Sequence, residues 1–217
     1  MKTAIIGVGN IGTALARHLV GGDNSVVVAA KDASHAKALA RQLGPRARSA
    51  SVADAIAGAE VVVFALWLDD MKVVISAHAS SLAGKVVVDP SNPVGFDATG
   101  QIIRTLPDNQ SAGSIVTSLL PASAHYVKAF GTLGAEALAN GANREPQRAV
   151  LFYATDDLTA ATAVEQLIRT AGFEPLKAGG LADAGRIEGP GGDLSAFALN
   201  GELLDLDQGR AAIAATG

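Results

Sequence analysis

The sequence predicts an α/β fold: a doubly wound parallel sheet with a short C-terminal extension. Three observations carry that prediction. Strand-like apolar runs alternate with Ala/Leu-rich segments of helical period along most of the 217 residues. Several of these runs are continuous and Val-rich, the pattern of strands covered on both faces. A Gly-x-Gly-x-x-Gly turn follows the first run directly and opens a helical segment. Alternation of this kind implies right-handed crossovers and a parallel sheet.

The elements follow in order. Thr3–Ile6 is the first strand, ended by Gly7, and Ile11–Val20 is the first helix. Ser25–Ala30, with three consecutive valines, is the second strand, and Ser34–Leu43 a helix that Asp32 is placed to cap. Ser51–Ala57 and Asp70–Leu82 read as helices around the strand Glu60–Leu66, and Lys85–Val88 as the next strand. Asp89–Gly100 (DPSNPVGFDATG) carries two prolines, two glycines and an asparagine, so it reads as irregular. His125–Ala129, Ala149–Tyr153 and Glu174–Ala178 are further strands, with helices Leu133–Ala139 and Asp157–Ala171 between them. The adjacent pairs Asp69-Asp70 and Asp156-Asp157 stand at element boundaries as helix caps.

Residues 1–180 are therefore expected to form a nucleotide-binding domain, and residues 181–217 an extension. That tail holds Gly189-Pro190-Gly191-Gly192 and a last apolar segment, Leu194–Leu206. It is expected to act as a lid or an oligomer contact, and a homodimer is the expected assembly.

Composition narrows the function classes. Hydrophobic residues make up 49% and charged residues 18%, the reverse of a disordered chain. Aromatics are only 4%, so Ala, Val, Leu and Ile must build the core. A net charge of -4 argues against nucleic-acid and anionic-membrane partners, which select clustered Lys and Arg. With no cysteine there is no disulfide scaffold, thiolate nucleophile or zinc–thiolate site. No apolar run approaches the roughly 18–20 residues of a membrane helix. The few apolar residues after Lys2 do not make a signal peptide, so a cytoplasmic location is expected.

The strongest motif is Gly7-Val8-Gly9-Asn10-Ile11-Gly12. Gly7 permits the tight turn and Gly9 lets the backbone approach a pyrophosphate. Gly12 lets the helix pack close to the sheet, with the phosphates at its N-terminus. The strand–turn–helix context is what the dinucleotide fingerprint requires. The end of the second strand selects the dinucleotide. NAD sites usually carry a carboxylate there, whereas this chain has Ala30 followed by Lys31. A small residue and a cation suit a 2′-phosphate, and His35, four residues on, is placed to face it too. Asp32 falls about where an NAD-type carboxylate can occur, and its other role is the helix cap. Charge favours NADP over NAD.

Side-chain catalysis finds no constellation. His18, His35, His78 and His125 share no metal spacing. Tyr126 and Lys128 are two apart, so the Tyr-xxx-Lys pair of short-chain dehydrogenases is absent. Neither GxSxG nor GxxxxGK[ST] occurs. Hydride transfer between two juxtaposed rings needs little acid–base machinery, so no catalytic side chain and no metal are expected.

Several segments beyond the glycine turn resemble the deazaflavin (coenzyme F-420)-dependent NADP reductase family. They are Ala30-Lys31, Val86-Val87-Val88-Asp89-Pro90-Ser91-Asn92-Pro93 and Val127-Lys128-Ala129-Phe130-Gly131-Thr132-Leu133. Ala154-Thr155-Asp156-Asp157, Ala171-Gly172-Phe173-Glu174-Pro175-Leu176, Ala178-Gly179 and Arg186-Ile187-Glu188 extend the similarity over nearly the whole chain. The resemblance implies a Rossmann fold, NADP phosphates on Val8–Gly12 and the 2′-phosphate on Ala30 and Lys31. It places the nicotinamide near Leu66, Trp67, Asn92 and Pro93. This chain has Ala30-Lys31 where the family usually has Ser-Arg, so it lacks one hydroxyl donor and the guanidinium fork. It also has Gly131 where the family has Asn, and Trp67 near a common proline.

Some of these residues carry two readings from the sequence. Asn92 orients the nicotinamide or holds a turn before Pro93. Lys128 meets an anionic substrate or snorkels to solvent. Trp67 stacks on a cofactor ring or packs, while His125 is structural. The resulting expectation is an NADP(H)-dependent oxidoreductase passing hydride to a deazaflavin or flavin. The alternatives are reduction of another small acceptor (quinone, imine or ferric chelate) and a non-catalytic NADP-binding regulatory module.

Overall fold

A computed structural model describes residues 1–215. Residues 216 and 217 of the expected extension lie outside the described residues. The N-terminal half alternates as expected: β1 (Thr3–Ile6), α1 (Asn10–Gly21), β2 (Val26–Ala29), α2 (Ala33–Leu43), β3 (Ala47–Ser49), α3 (Val52–Gly58), β4 (Val61–Phe64), α4 (Leu68–His78) and β5 (Val86–Asp89). A hairpin of β6 (Val94–Phe96) and β7 (Ile102–Arg104) and the helix α5 (Ala112–Leu119) lead into β8 (His125–Ala129). Then come α6 (Ala135–Asn140), β9 (Val150–Ala154), α7 (Leu158–Thr170), β10 (Glu174–Gly179) and, after a 3-10 segment Leu181–Ile187, α8 (Leu206–Ala214).

One sheet takes eight strands in the order β10-β9-β8-β5-β4-β1-β2-β3. The chain leaves β1 toward β2 and β3, then returns past it to β4, β5 and β8, so the winding reverses beside β1. The strands β3, β2, β1, β4, β5 and β8 are parallel. Their registers pair Ile6 with Ala29 and Phe64, and Asp89 with Lys128, which aligns the carboxyl ends on one edge.

The sheet is mostly parallel, with one departure from the all-parallel expectation. β9 pairs antiparallel with β8, and β10 then follows β9 in parallel. The connection from β8 to β9 carries only the six-residue α6 and a loop, too little to cover the face as a crossover helix would.

Both faces are covered, which explains the Val-rich runs. Ile5, Val63 and Val88 face α1, α2 and α7, packing with Leu15, Leu19, Val164 and Leu167. Ile6, Val62 and Val87 face the other way, onto Ile56, Met71, Ile75 and Val116 of α3, α4 and α5. Each fully buried aliphatic side chain stabilises by about 1.5–3 kcal/mol relative to exposure. The segment after β10 covers β9 and β10, with Ile187, Leu194 and Leu204 on Val150 and Phe152. Val150 N donates to Leu204 O at 2.8 Å, and Ala196 N to Thr132 O at 2.8 Å.

Three boundary expectations change. Asp89–Gly100 is not wholly irregular, because Val94–Phe96 pairs with Ile102–Arg104 around a turn in which Asp97 Oδ1 accepts from Thr99 N and Gln101 N. Asp69 and Asp70 lie in the first turn of α4 rather than capping it, since the cap position is Trp67. Of the second pair, Asp157 does cap α7, accepting from Ala160 N at 2.9 Å, while Asp156 instead holds Leu181 N at 3.0 Å.

Candidate functional site

The glycine turn sits where the winding reverses, at the carboxyl edge where open α/β sheets bind ligands. Its three glycines divide into two kinds. A Cβ at Gly7 would stand 2.2 Å from Ala65 O, and Gly7 has φ +102°. A Cβ at Gly12 would stand 1.9 Å from Gly7 O and 3.1 Å from Ala65 Cβ. Both are demanded by the protein's own packing. A Cβ at Gly9 would meet no protein atom within 4 Å, and its φ of −71° and ψ of −164° suit any residue. The fold leaves that space open.

The helix behind the turn is prepared for an anion. Gly9 caps α1 with no side-chain hydrogen bond, and its first turn holds no acidic residue. Thr13 Oγ1 donates back to Val8 O at 3.0 Å, which fixes the turn without using the amides of Asn10 and Ile11. Free amides at a helix N-terminus, beside space that only a Cβ-less residue leaves open, fit a pyrophosphate.

Of the neighbouring predicted residues, Leu66 touches this turn directly and Ala30 and Lys31 follow a strand bonded to it. Gly7 N donates to Ala29 O at 2.8 Å, bringing Ala30 and Lys31 alongside. Lys31 is exposed and makes no ion pair or hydrogen bond among the described residues. Asp32 is committed elsewhere: its Oδ1 accepts from Ser34 N at 2.8 Å, capping α2. The Ser34 hydrogen bonds hold its carboxyl below the ordinary value. His35, in the first turn of α2, is exposed and 4.0 Å from Asp32. Leu66 packs over Gly7, its Cδ2 lying 2.9 Å from where a Gly7 Cβ would be. Trp67 is 57% exposed and meets Phe96 of the hairpin edge-on at 6.5 Å, so it is not a core residue.

The Asp89–Pro93 loop is held more tightly than the sequence implies. Asn92 Nδ2 donates to Gly131 O at 2.8 Å, and Asn92 Oδ1 accepts from Gly189 N at 2.9 Å. The local turn is made by Asp89, whose Oδ1 accepts from Ser91 N at 2.7 Å. Pro93 is buried, and its carbonyl accepts from Thr105 N at 2.8 Å. Gly131 suits a close approach, because a Cβ there would stand 2.6 Å from Pro90 O. Thr132 Oγ1, buried on the same loop, has no hydrogen-bond partner among the described residues.

Lys128 does neither of the things expected of it. It is 1% exposed, with Nζ 3.0 Å from Asp89 Oδ2 and 3.4 Å from Glu188 Oε1, and it also donates to Ser91 O. Asp89 and Glu188 are fully buried. Tyr126 donates to Asp89 Oδ2 at 2.8 Å; burial, then the adjacent carboxylate, push its hydroxyl well above the ordinary value of 10. The two Glu188 oxygens accept from Ala112 N and Gly113 N at 2.8 and 2.9 Å, at the N-terminus of α5. Snorkelling needs a path to water, and here partners surround the ammonium. The readable signal was a charged residue inside a strand covered on both faces, which must be paired. His125 is structural, its Nδ1 lying 2.7 Å from Asp157 Oδ2.

Two recesses lie apart from these residues. One of about 700 Å³ runs between Arg104, Ser111, Ser114, Asp156 and the 3-10 segment. The other, of about 340 Å³, is lined by Arg17, His18, Arg148 and Arg169. Neither includes a residue expected at the site. Among the described residues no cluster of His, Asp and Glu could hold a metal ion, and no helix is long and apolar enough to cross a membrane.

Comparison with known proteins adds to the geometry. Residues 2–93 match the family model described as NADP oxidoreductase, coenzyme F420-dependent. The rat (Rattus norvegicus) metalloreductase STEAP3 is 34% identical over 187 residues, which is 86% of this chain but only 36% of that protein. A hypothetical protein from Sinorhizobium meliloti superposes with a TM-score of 0.80 at 30% identity, covering 90% of this chain and 93% of its own. A candidate F420-dependent NADP reductase from Arthrobacter has a TM-score of 0.74 at 25% identity, covering 85% and 87%. These neighbours share the mostly parallel Rossmann-like sheet.

Proposed function

From the match of residues 2–93 to the coenzyme F420-dependent NADP oxidoreductase family model, we propose that this protein is an NADP(H)-dependent hydride-transfer enzyme. The observation that carries the reading is Gly9: the one turn glycine that the fold does not need is the one a pyrophosphate would need. When bound, NADPH supplies the hydride. The open amides of α1 hold the pyrophosphate, and Lys31, with no competing partner, reads the 2′-phosphate. Asp32 ties one of its two oxygens to the cap of α2, so that oxygen does not accept from the ribose as an NAD-type carboxylate would. Leu66, Trp67 and the Asp89–Pro93 loop border the nicotinamide. No charged catalytic group is needed, because the chain has only to orient the rings and exclude water.

The acceptor in this reading is a deazaflavin or flavin, supported by the family match and by the exposed Trp67–Phe96 pair, an apolar surface beside Leu66. A ferric chelate is the second reading, favoured by the similarity to a metalloreductase; the chain spans about a third of that relative's length. A homodimer completes the proposal, with light scattering expected to give twice the chain mass of 21.8 kDa. The deciding experiment is loss of NADPH absorbance with a panel of deazaflavin, flavin, quinone, imine and ferric acceptors. Turnover with the deazaflavin or flavin is expected. Tight NADPH binding with no turnover on any acceptor would make the chain a regulatory module instead.

A further inference from the structure

The Asp89–Lys128–Glu188 cluster is an odd element for stability alone. Desolvating two carboxylates and an ammonium is costly, and well-packed apolar residues would serve at least as well. What an ion cluster adds is geometry, because each buried charge must keep its partners. Four of those partners here are main-chain atoms, Ser91 N and O and the amides of Ala112 and Gly113. Lys128 donates to Ser91 O and also lies 3.3 Å from Ser91 Oγ, while Asp89 accepts from Ser91 N. Glu188 holds the start of α5 and reaches Lys128 at 3.4 Å. The very next residue, Gly189, donates to Asn92 Oδ1. The loop is thus tied through Ser91 by the buried charges and through Asn92 by Gly131 and Gly189.

We propose that Lys128 and Glu188 are positioning residues that set the Asp89–Pro93 loop, and that Glu188-Gly189 thereby makes the C-terminal segment a working part of the redox site. This rests on the dinucleotide reading above, in which that loop borders the nicotinamide. Neither side chain touches the cofactor, since both are enclosed by protein. Their effect falls on the nicotinamide half of the dinucleotide and leaves the adenosine half, held at Gly9 and Lys31, as it is.

That division gives the test. Adenosine 2′,5′-bisphosphate carries only the adenosine end, whereas NADPH carries both, and its bound fluorescence reports on the nicotinamide environment. Glu188→Gln removes the charge that faces Lys128 while keeping one acceptor for α5. Asn92→Ala cuts both ties from the other side of the loop without leaving a charge unpaired. Each variant is expected to keep bisphosphate affinity within about threefold while NADPH affinity falls about fivefold or more. The nicotinamide emission should shift, and turnover at saturating NADPH should fall about tenfold or more. Equal losses for the two ligands would mean a merely structural role and overturn the proposal, as would no change in either. If Glu188→Gln does not fold, Asn92→Ala decides by the same outcomes. Failure of the unsubstituted chain to bind either ligand would overturn the dinucleotide reading, and this proposal with it.

Discussion

Replacing each turn glycine by alanine should separate folding from binding. At Gly12 the added Cβ falls 1.9 Å from a main-chain oxygen, so the turn or helix must move by more than 1 Å. Overpacking of this kind costs about 1–3 kcal/mol, and the gap here puts it at the upper end. The better helix propensity of alanine returns about 1 kcal/mol. A net loss near 2 kcal/mol lowers Tm by about 4–8 °C for a chain of this length. At Gly9 the backbone is already in a region alanine prefers, and nothing lies within 4 Å. Gly9→Ala should gain about 0.4–1 kcal/mol through the unfolded chain and lose a comparable amount as a poorer N-cap, so stability should change little. Its Cβ nevertheless occupies the space above the α1 amides, and Gly9→Val fills it further. NADPH affinity should fall at least about tenfold in Gly9→Val, which is 1.4 kcal/mol or more. Thermal melts with and without NADPH, plus a fluorescence titration, read both quantities. A Gly9→Val protein that melts normally and binds NADPH within about threefold of the parent would refute the reasoning.

Other expectations follow from the buried charges and the caps. Lys128→Met strands Asp89 and Glu188 without their cation, which costs about 3–5 kcal/mol; a melt should show a fall of roughly 10 °C, and a change of about 2 °C or less would deny the ion pairing. Burial alone would raise the carboxyl of Asp157, but hydrogen bonds from Ala160 N–H and His125 outweigh it and hold it below its ordinary 3.8. Its contribution is thus complete above that pH and disappears as the pH falls through the lower folded value. Asp157→Asn should melt lower than the parent at pH 7, with the difference shrinking below about pH 4; a gap constant across that range would show that the carboxylate charge does not matter.

What could be read from the sequence was whatever is local. The Val-rich strands, the glycine turn and the Asp32 cap each sit within a few residues of the partners that explain them. β3 escaped because it is only three residues long and includes Arg48. The β6–β7 hairpin hid in a stretch of prolines and glycines, where three-residue strands leave no period to detect. α5 reads poorly as a helix, with Gly113, Thr117 and two serines, and it is held by the Ser111–Ser114 capping box and by Glu188 from the distant C-terminal segment. The reversal of β9 was invisible because alternation records element types and not direction. At the site, the sequence located Asn92 and Lys128 but not their partners, Gly131, Gly189, Asp89 and Glu188. The pairings with Asp89 and Gly131 exist only once the sheet has aligned β5 with β8, and those with Glu188 and Gly189 only once the C-terminal segment has packed back.

The central claim, that this chain holds NADP(H) at the glycine turn with Lys31 on the 2′-phosphate, comes down to dissociation constants for NADPH and NADH. A 2′-phosphate near pH 7 carries between one and two negative charges, and a charge-assisted contact to it is worth about 1.5–3 kcal/mol, or roughly ten- to a hundredfold. Measured side by side, the parent protein should bind NADPH better than NADH, by a margin that narrows at high salt. Lys31→Ala should lose most of that margin through NADPH alone, leaving NADH nearly unchanged. Equal losses for the two nucleotides, or a parent that binds NADH as tightly as NADPH, would contradict the account.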